Sequence, residues 1–292
     1  MLADRSLISD LLGFDGLIDH TRDAMWQTDS FINLLSTATS LISNQSKLAE
    51  DLEIWASQEF DYIDLAGPYT RSSVLMPQKR NPYSLTIARG AGGVLIGRLA
   101  GFLAVVKSPS ARSDNLIFAY GEIPRALELS SKISALMSGV VGTMTVNADR
   151  MWAELESGFS QATDLAEFVM MTTGVDYRTA YHIVGNTVRA ASSDGLRGTD
   201  ITVELLGDIS EEIHGERLEV DSDELAQVLD PRNIVATRTA TGGAAPDVVD
   251  EMASNYRDQA VDLVARADQR QVGFRTAERE LLARAEGIVS SN

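Results

Sequence analysis

The sequence predicts an all-α fold in which long helices form a bundle and shorter helices form a second, smaller domain. Three observations support this prediction. Residues 21–57 contain neither Pro nor Gly, and within them Leu34, Leu41, Leu48 and Trp55 recur every seven positions, as in a helix packed lengthwise against others. Strand-like alternation is hard to find along the chain. After about residue 145 the helical segments become short, and glycines separate them.

The first predicted domain covers residues 1–147 and contains a polar loop at 61–82. Asp4 can cap a short helix that ends at Gly13. Residues 21–57 would form one helix of roughly 50 Å, at 1.5 Å per residue. A glycine-rich helix then starts at Asn81-Pro82 and runs to about Lys107. We expect its glycines to allow close approach of neighbouring helices. Another helix covers about 124–144.

The second predicted domain covers residues 148–292. Periodicity and glycine breaks predict short helices at about 148–157, 161–173, 177–191, 200–213 and 222–229. Pro246 opens a long terminal helix that Gly273 interrupts. No repeat of 20–50 residues is present, which argues against a solenoid.

Composition excludes several classes of function. The 292 residues include no Cys, so disulfides, thiolate nucleophiles and Cys-ligated metals are ruled out. A net charge of −17 disfavours nucleic acid as a partner. We find no unbroken apolar stretch of membrane-spanning length and no secretory signal at the N-terminus, so we expect a cytoplasmic protein without a membrane partner.

The most informative segment is the loop at residues 70–82, which holds adjacent hydroxyls, three cations and Asn81 before a helix start. On an acidic protein this is a local cationic spot, and free N–H groups at the helix N-terminus add positive potential. Two interpretations remain open on these residues alone. The loop binds a carboxylate or phosphate, or it is a solvated loop in which Asn81 only caps the helix.

The segment Ser72-Ser73-Val74-Leu75-Met76-Pro77-Gln78-Lys79-Arg80-Asn81-Pro82 resembles the signature loop of the fumarase/aspartase superfamily, Gly-Ser-x-x-Met-x-x-Lys-x-Asn. Ser73, Met76, Lys79 and Asn81 match it, whereas Ser72 replaces the glycine. Met-Pro-Gln-Lys is typical of the argininosuccinate lyase branch. Further segments resemble that branch in the family's order, from about residue 4 to 246, and they include 11–16, 55–60, 158–166, 182–185 and 242–246.

This resemblance implies a carbon–nitrogen lyase that eliminates an amine from an N-substituted aspartate and releases fumarate. Ser73 would be the general base, acting as an alkoxide. Substrate binding would involve Ser72, Met76, Lys79 and Asn81, with Lys79 and Asn81 holding carboxylate oxygens. The family assembles four copies around a shared helical bundle, and its active sites form where subunits meet. The resemblance implies neither an organic cofactor nor a metal.

Two segments depart from the argininosuccinate lyase pattern. That branch carries Tyr-Asn-x-Asp-Leu-Gln-Glu-Asp-Lys, which helps to recognise the arginine part. Residues 114–122 keep Asn115 but have Asp114, Ala119 and Glu122 at the Tyr, Gln and Lys positions. The family's Ser-Asp-Arg-Asp becomes residues 26–29, Trp-Gln-Thr-Asp. We therefore expect a different N-substituted aspartate, with aminopolycarboxylates such as ethylenediamine-disuccinate as one precedent.

None of the three histidines lies in the Thr-x-His-x-Gln context that supplies the proton donor in this family. We expect His182 to be a packed core or interface residue, and His20 and His214 to lie on the surface. The family's N-terminal stretch, which holds that histidine, has no counterpart before residue 4. Three explanations stay open: a split lyase with a partner chain, a fragment of a longer protein, or a non-catalytic scaffold subunit.

Overall fold

The computed structural model describes residues 4–107 and 114–290, and its fold is all-α, as predicted. Contacts divide the chain into two compact units. The first comprises Met1–Ala148 with Glu280–Asn292, and the second comprises Asp149–Arg279. The division into independent domains at 1–147 and 148–292 stays a prediction. Residues 1–3, on which the expectation about a secretory signal partly depends, lie outside the described residues.

Within the described residues, six α-helices lie entirely in the first unit. They are α1 (Arg5–Leu11), α2 (Thr21–Trp26), α3 (Asp29–Trp55), α4 (Tyr83–Val106), α5 (Ile117–Tyr120) and α6 (Glu122–Thr143). Two antiparallel ribbons of two residues per strand accompany them. Strand β1 (Ile63–Asp64) pairs with β4 (Thr145–Val146), and β2 (Arg71–Ser72) pairs with β3 (Arg80–Asn81). The helix start at Asp4 is confirmed, since its carboxylate accepts the Leu7 N–H at 3.0 Å.

The single helix predicted over 21–57 is wrong, because the chain leaves the helical conformation between α2 and α3. Gln27 has an extended backbone (φ −65°, ψ 124°), and α3 begins at Asp29. The side chain of His20 caps α2, with Nδ1 accepting the Arg22 N–H at 3.1 Å. The 27 residues of α3 therefore span about 40 Å.

The core of the first unit lies between α3, α4 and α6. The residues of α3 that enter it are Leu35, Ala38, Ile42, Ala49 and Leu52. The seven-residue seam of Leu34, Leu41, Leu48 and Trp55 lies beside this stripe and stays between 37% and 48% exposed. Burial of the inner stripe stabilises the bundle, since each fully buried Leu or Ile contributes roughly 1.5–3 kcal/mol.

The glycines of α4 do not all pack as predicted. A Cβ placed on Gly92 would contact the Ser46 side chain at 3.4 Å, so this residue lets α3 and α4 approach closely. Nothing lies within 4 Å of such a Cβ at Gly90, Gly93, Gly97 or Gly101. These four glycines instead form part of an open face of α4.

Helix α4 is the one helix in the described ranges whose length and mean hydropathy, 1.4 over its most apolar window, would suit a membrane span. Arg89 and Arg98 place two positive charges in this otherwise apolar helix. Its buried side chains, such as Leu85, Leu95 and Phe102, belong to the same core cluster as those of α3 and α6. A core helix of a bundle passes the same composition test.

The second unit contains the short helices. They are α7 (Ala148–Ser157), α8 (Ala162–Thr173), α9 (Tyr177–Ser193), α10 (Val203–His214), α11 (Ser222–Leu229) and α12 (Pro231–Thr237). Five of the six follow the predicted segments within three residues, and α12 is an addition. The last helix, α13, runs over Pro246–Ser290 without a break at Gly273, which corrects the predicted interruption.

Candidate functional site

The loop predicted to carry the chemistry is held by the β2–β3 hairpin. Arg71 pairs with Asn81, and Ser72 pairs with Arg80, so residues 73–79 form the connecting loop. Two backbone hydrogen bonds close it: the Ser73 N–H donates to the Lys79 carbonyl at 3.4 Å, and the Lys79 N–H donates to the Met76 carbonyl at 3.0 Å. The hairpin leads directly into α4.

The Ser73 hydroxyl oxygen accepts hydrogen bonds from two backbone N–H groups. The N–H groups of Leu75 and Met76 donate to Ser73 Oγ at 3.2 Å and 3.1 Å. Ser73 itself is half-buried, whereas the side chains of Val74 and Leu75 are 100% and 90% exposed. Hydrogen bonds donated to an oxygen favour its anionic form. The loop therefore offers a serine oxygen in a setting that suits negative charge.

The other predicted loop residues surround Ser73 in different ways. Ser72 is an exposed residue of β2, and the Lys79 side chain is exposed on the loop. Met76 is 43% exposed. The Asn81 amide nitrogen donates to the Arg71 carbonyl at 3.1 Å and so ties the two strands together. Pro82 occupies the N-cap position of α4 without a side-chain cap, so the interpretation of Asn81 as a helix cap is wrong.

The cations of the loop are not equivalent. The Arg80 guanidinium donates to Asp64 at 2.8 Å and to the Leu65 carbonyl at 2.5 Å, which ties β3 to β1. Arg71 lies over the ring of Tyr83, the first residue of α4, with its Cζ 5.3 Å from the ring centroid. Sequence reasoning missed this contact. No pattern in the sequence signals it.

The segment that departs from the argininosuccinate lyase pattern lies elsewhere in the first unit. Asn115 donates to the Val105 carbonyl at 2.5 Å. Glu122 accepts from Arg125 at 2.6 Å, and its second oxygen lies 3.5 Å from Nε of Arg98. A cleft lined by Arg98, Glu122 and the exposed Phe118 separates the end of α4 from α5. Charged groups thus occur where the family carries arginine-recognising residues.

The three histidines lie apart from this loop in sequence, and all three are exposed. His20 and His214 are exposed, as predicted. His182 is exposed as well and contacts the edge of the Tyr181 ring, with centroids 5.8 Å apart, so a core position is wrong. Within the described residues, no group of three or more His, Asp and Glu side chains is arranged to hold a metal ion.

Comparisons with known proteins find similar sequences and folds. A model of the lyase family matches residues 3–97, and a model of the argininosuccinate lyase C-terminal region matches residues 159–236. Argininosuccinate lyase of Methanosarcina mazei is 34% identical over 84% of this chain and 49% of its own length. That of Methanococcoides burtonii is 32% identical over 88% of this chain and 52% of its own. A variant of EDDS lyase with bound fumarate is 27% identical, with a TM-score of 0.84 over 97% of this chain and 56% of its own.

The long-helix fold, the hairpin-borne loop and these matches together define the class: the chain belongs to the fumarase/aspartase superfamily. Within it, the resemblance is to the argininosuccinate lyase-like branch. The chain spans about half the length of the curated relatives that it matches.

Proposed function

We propose that the chain is a carbon–nitrogen lyase, or a subunit of one, which eliminates an amine from an N-substituted aspartate and releases fumarate. The observation that carries the proposal is the pair of backbone N–H groups on Ser73 Oγ, at 3.1 and 3.2 Å. The names of its relatives, argininosuccinate lyase and EDDS lyase with bound fumarate, support the reaction class.

In this mechanism Ser73 reacts as an alkoxide that the Leu75 and Met76 N–H groups stabilise. It removes a proton from the carbon beside a carboxylate. The resulting electron pair forms the carbon–carbon double bond as the carbon–nitrogen bond breaks, and the amine leaves with a proton supplied by a separate acid. Lys79 and the second N–H of Asn81 would hold the carboxylate whose charge increases in the intermediate.

The proposed assembly is an oligomer of the tetrameric type in the cytoplasm. The seam of α3 and the open glycine face of α4 both leave apolar surface uncovered in the single chain. Apolar patches of this kind mark surfaces that associate. A second chain with the family's N-terminal segment would supply the acid.

A non-catalytic scaffold subunit, or a fragment that depends on a partner, is the second candidate. The observation in its favour is the exposure of the loop, since Val74 and Leu75 are open to solvent beside Ser73. Elimination chemistry benefits from a site that excludes water. Together with the chain spanning about half of its relatives, this indicates that further chain is needed to close the site.

Fumarate absorbance with a panel of N-substituted aspartates tests the proposal. The protein is assayed alone and after purification from its source, so that any partner is retained. Ser73→Ala should lower the rate by about 10²–10⁴-fold, the usual contribution of a general base. Ser131→Ala, at an exposed serine of α6, is the matched control and should keep the full rate. Absence of fumarate in every preparation would favour the scaffold.

A further inference from the structure

The charge balance of the hairpin leaves two cations without a carboxylate. Arg80 is paired with Asp64. Neither Arg71 nor Lys79 has an acidic side chain within ion-pair distance in the parts of the chain that the structure describes. Two unpaired positive charges therefore flank the Ser73 loop on a chain whose net charge is −17. Such a site attracts an anion with more than one negative group.

The position of Arg71 is more defined than that of an ordinary exposed arginine. Its backbone is fixed in β2, where its carbonyl accepts from Asn81, and its guanidinium lies over the Tyr83 ring. A guanidinium that lies over an aromatic face keeps the N–H groups in its own plane free. Those N–H groups suit a carboxylate, which arginine can bind through two parallel hydrogen bonds.

The geometry points to Arg71 as the binding group for a third carboxylate, carried by the leaving amine. This inference rests on the proposed function, in which Lys79 and Asn81 serve the succinyl carboxylates. Arg71 is then not needed to bind the succinyl unit, although it lies on the same hairpin as Lys79 and Asn81. Arg71 is therefore the residue that would select a substrate whose nitrogen bears a carboxylate-containing arm, and Tyr83 positions its guanidinium.

Two ligands that cannot undergo elimination test the inference on the intact chain. Tricarballylate is succinate with a carboxymethyl arm, and ethylsuccinate carries a methyl group in place of the third carboxylate. Calorimetric titration should show tricarballylate binding at least about tenfold more tightly, as expected for one charge-assisted hydrogen-bonded pair. Arg71→Gln should remove that preference and leave ethylsuccinate binding unchanged.

Three further variants separate recognition from general charge effects. Arg89→Gln removes the same charge from α4, where Arg89 pairs with Glu50 and Glu53, and should keep the preference. Tyr83→Phe keeps the ring and should keep the preference as well. Tyr83→Leu removes the ring and should reduce the preference, because the guanidinium loses its support.

Each remaining outcome counts against the inference. Equal affinity of the unaltered chain for both ligands, or a preference that survives Arg71→Gln, overturns the role of Arg71 and leaves the proposed function intact. An equal loss for both ligands in Arg71→Gln would assign Arg71 to the succinyl unit instead. If the chain binds neither ligand, the inference about Arg71 fails, and the separate fumarate assay on protein purified with any partner decides the proposed function.

Discussion

Gly139 on α6 gives the clearest test of how Tyr69, which lies two residues before the β2–β3 hairpin, is packed. A Cβ at this position would overlap Oη of Tyr69 and lie 2.7 Å from its Cζ. The Tyr69 ring packs against the core, and its carbonyl accepts the Ser84 hydroxyl at 2.8 Å. The ring therefore has little freedom to move away. Gly139→Ala should cost about 1–3 kcal/mol, as overpacking in a core does.

In a thermal melt this cost corresponds to a loss of roughly 2–10 °C. Gly142→Ala is the matched control, since nothing lies within 4 Å of its Cβ on the same helix. That change should stabilise the protein by about 0.5–1 kcal/mol, because alanine is the better helix former. Tyr69→Phe removes the closest atom and should restore part of the stability in the double variant. Equal melting temperatures for Gly139→Ala and Gly142→Ala would refute the argument.

Two other predictions concern the second unit. The side-chain hydrogen bond from Arg197 lowers the pKa of Asp200 from 3.8 to about 2, so its stabilising effect is complete above pH 3.8 and is lost as pH falls through about 2. Asp200→Asn should lower the urea midpoint at neutral pH and match the unaltered protein only once the pH is well below about 2, and a pH-independent gap would contradict this. Thr202 caps α10 by accepting the Leu205 N–H at 3.2 Å, so Thr202→Ala should cost about 1 kcal/mol while Thr202→Ser costs less. Equal melting of both variants would rule out a capping role.

The helices of the second unit were predictable because their boundaries are set by neighbouring residues. Asp176 accepts the N–H groups of Arg178 and Thr179 at the start of α9, and Asp221 does the same for α11. Gly174 and Gly215 end α8 and α10 in the left-handed conformation. Each signal lies within a few residues of the boundary that it fixes. Hydrophobic periodicity and capping residues therefore suffice to predict these helices.

The first unit was less predictable because its features depend on distant residues. The break at Gln27 has neither Pro nor Gly to announce it. The stripe of α3 that is buried is decided by α4 and α6, and the seven-residue seam turned out to lie beside it.

The candidate site was predicted only in part, because some of its contacts also depend on how the chain folds and not on local sequence. The motif located the loop, and Ser73, Lys79 and Asn81 all lie on one hairpin. The donors on Ser73 Oγ arise from the turn that the backbone takes at Leu75 and Met76. The Arg71–Tyr83 contact joins β2 to the first residue of α4, and no local pattern predicts it.

The β1–β4 ribbon has a consequence for the order in which this region forms. The β2–β3 hairpin is local, since Asn81 bonds to a residue only ten positions earlier. The ribbon instead joins Asp64 to Thr145, 81 positions apart, and closing so long a loop costs more chain entropy. During synthesis the hairpin can fold as soon as β3 has emerged. Arg80 of this hairpin forms an ion pair with Asp64 of β1. Strand β1 acquires its own partner strand only after β4 has been made. The loop around Ser73 therefore reaches its final rigidity late, when α6 is complete.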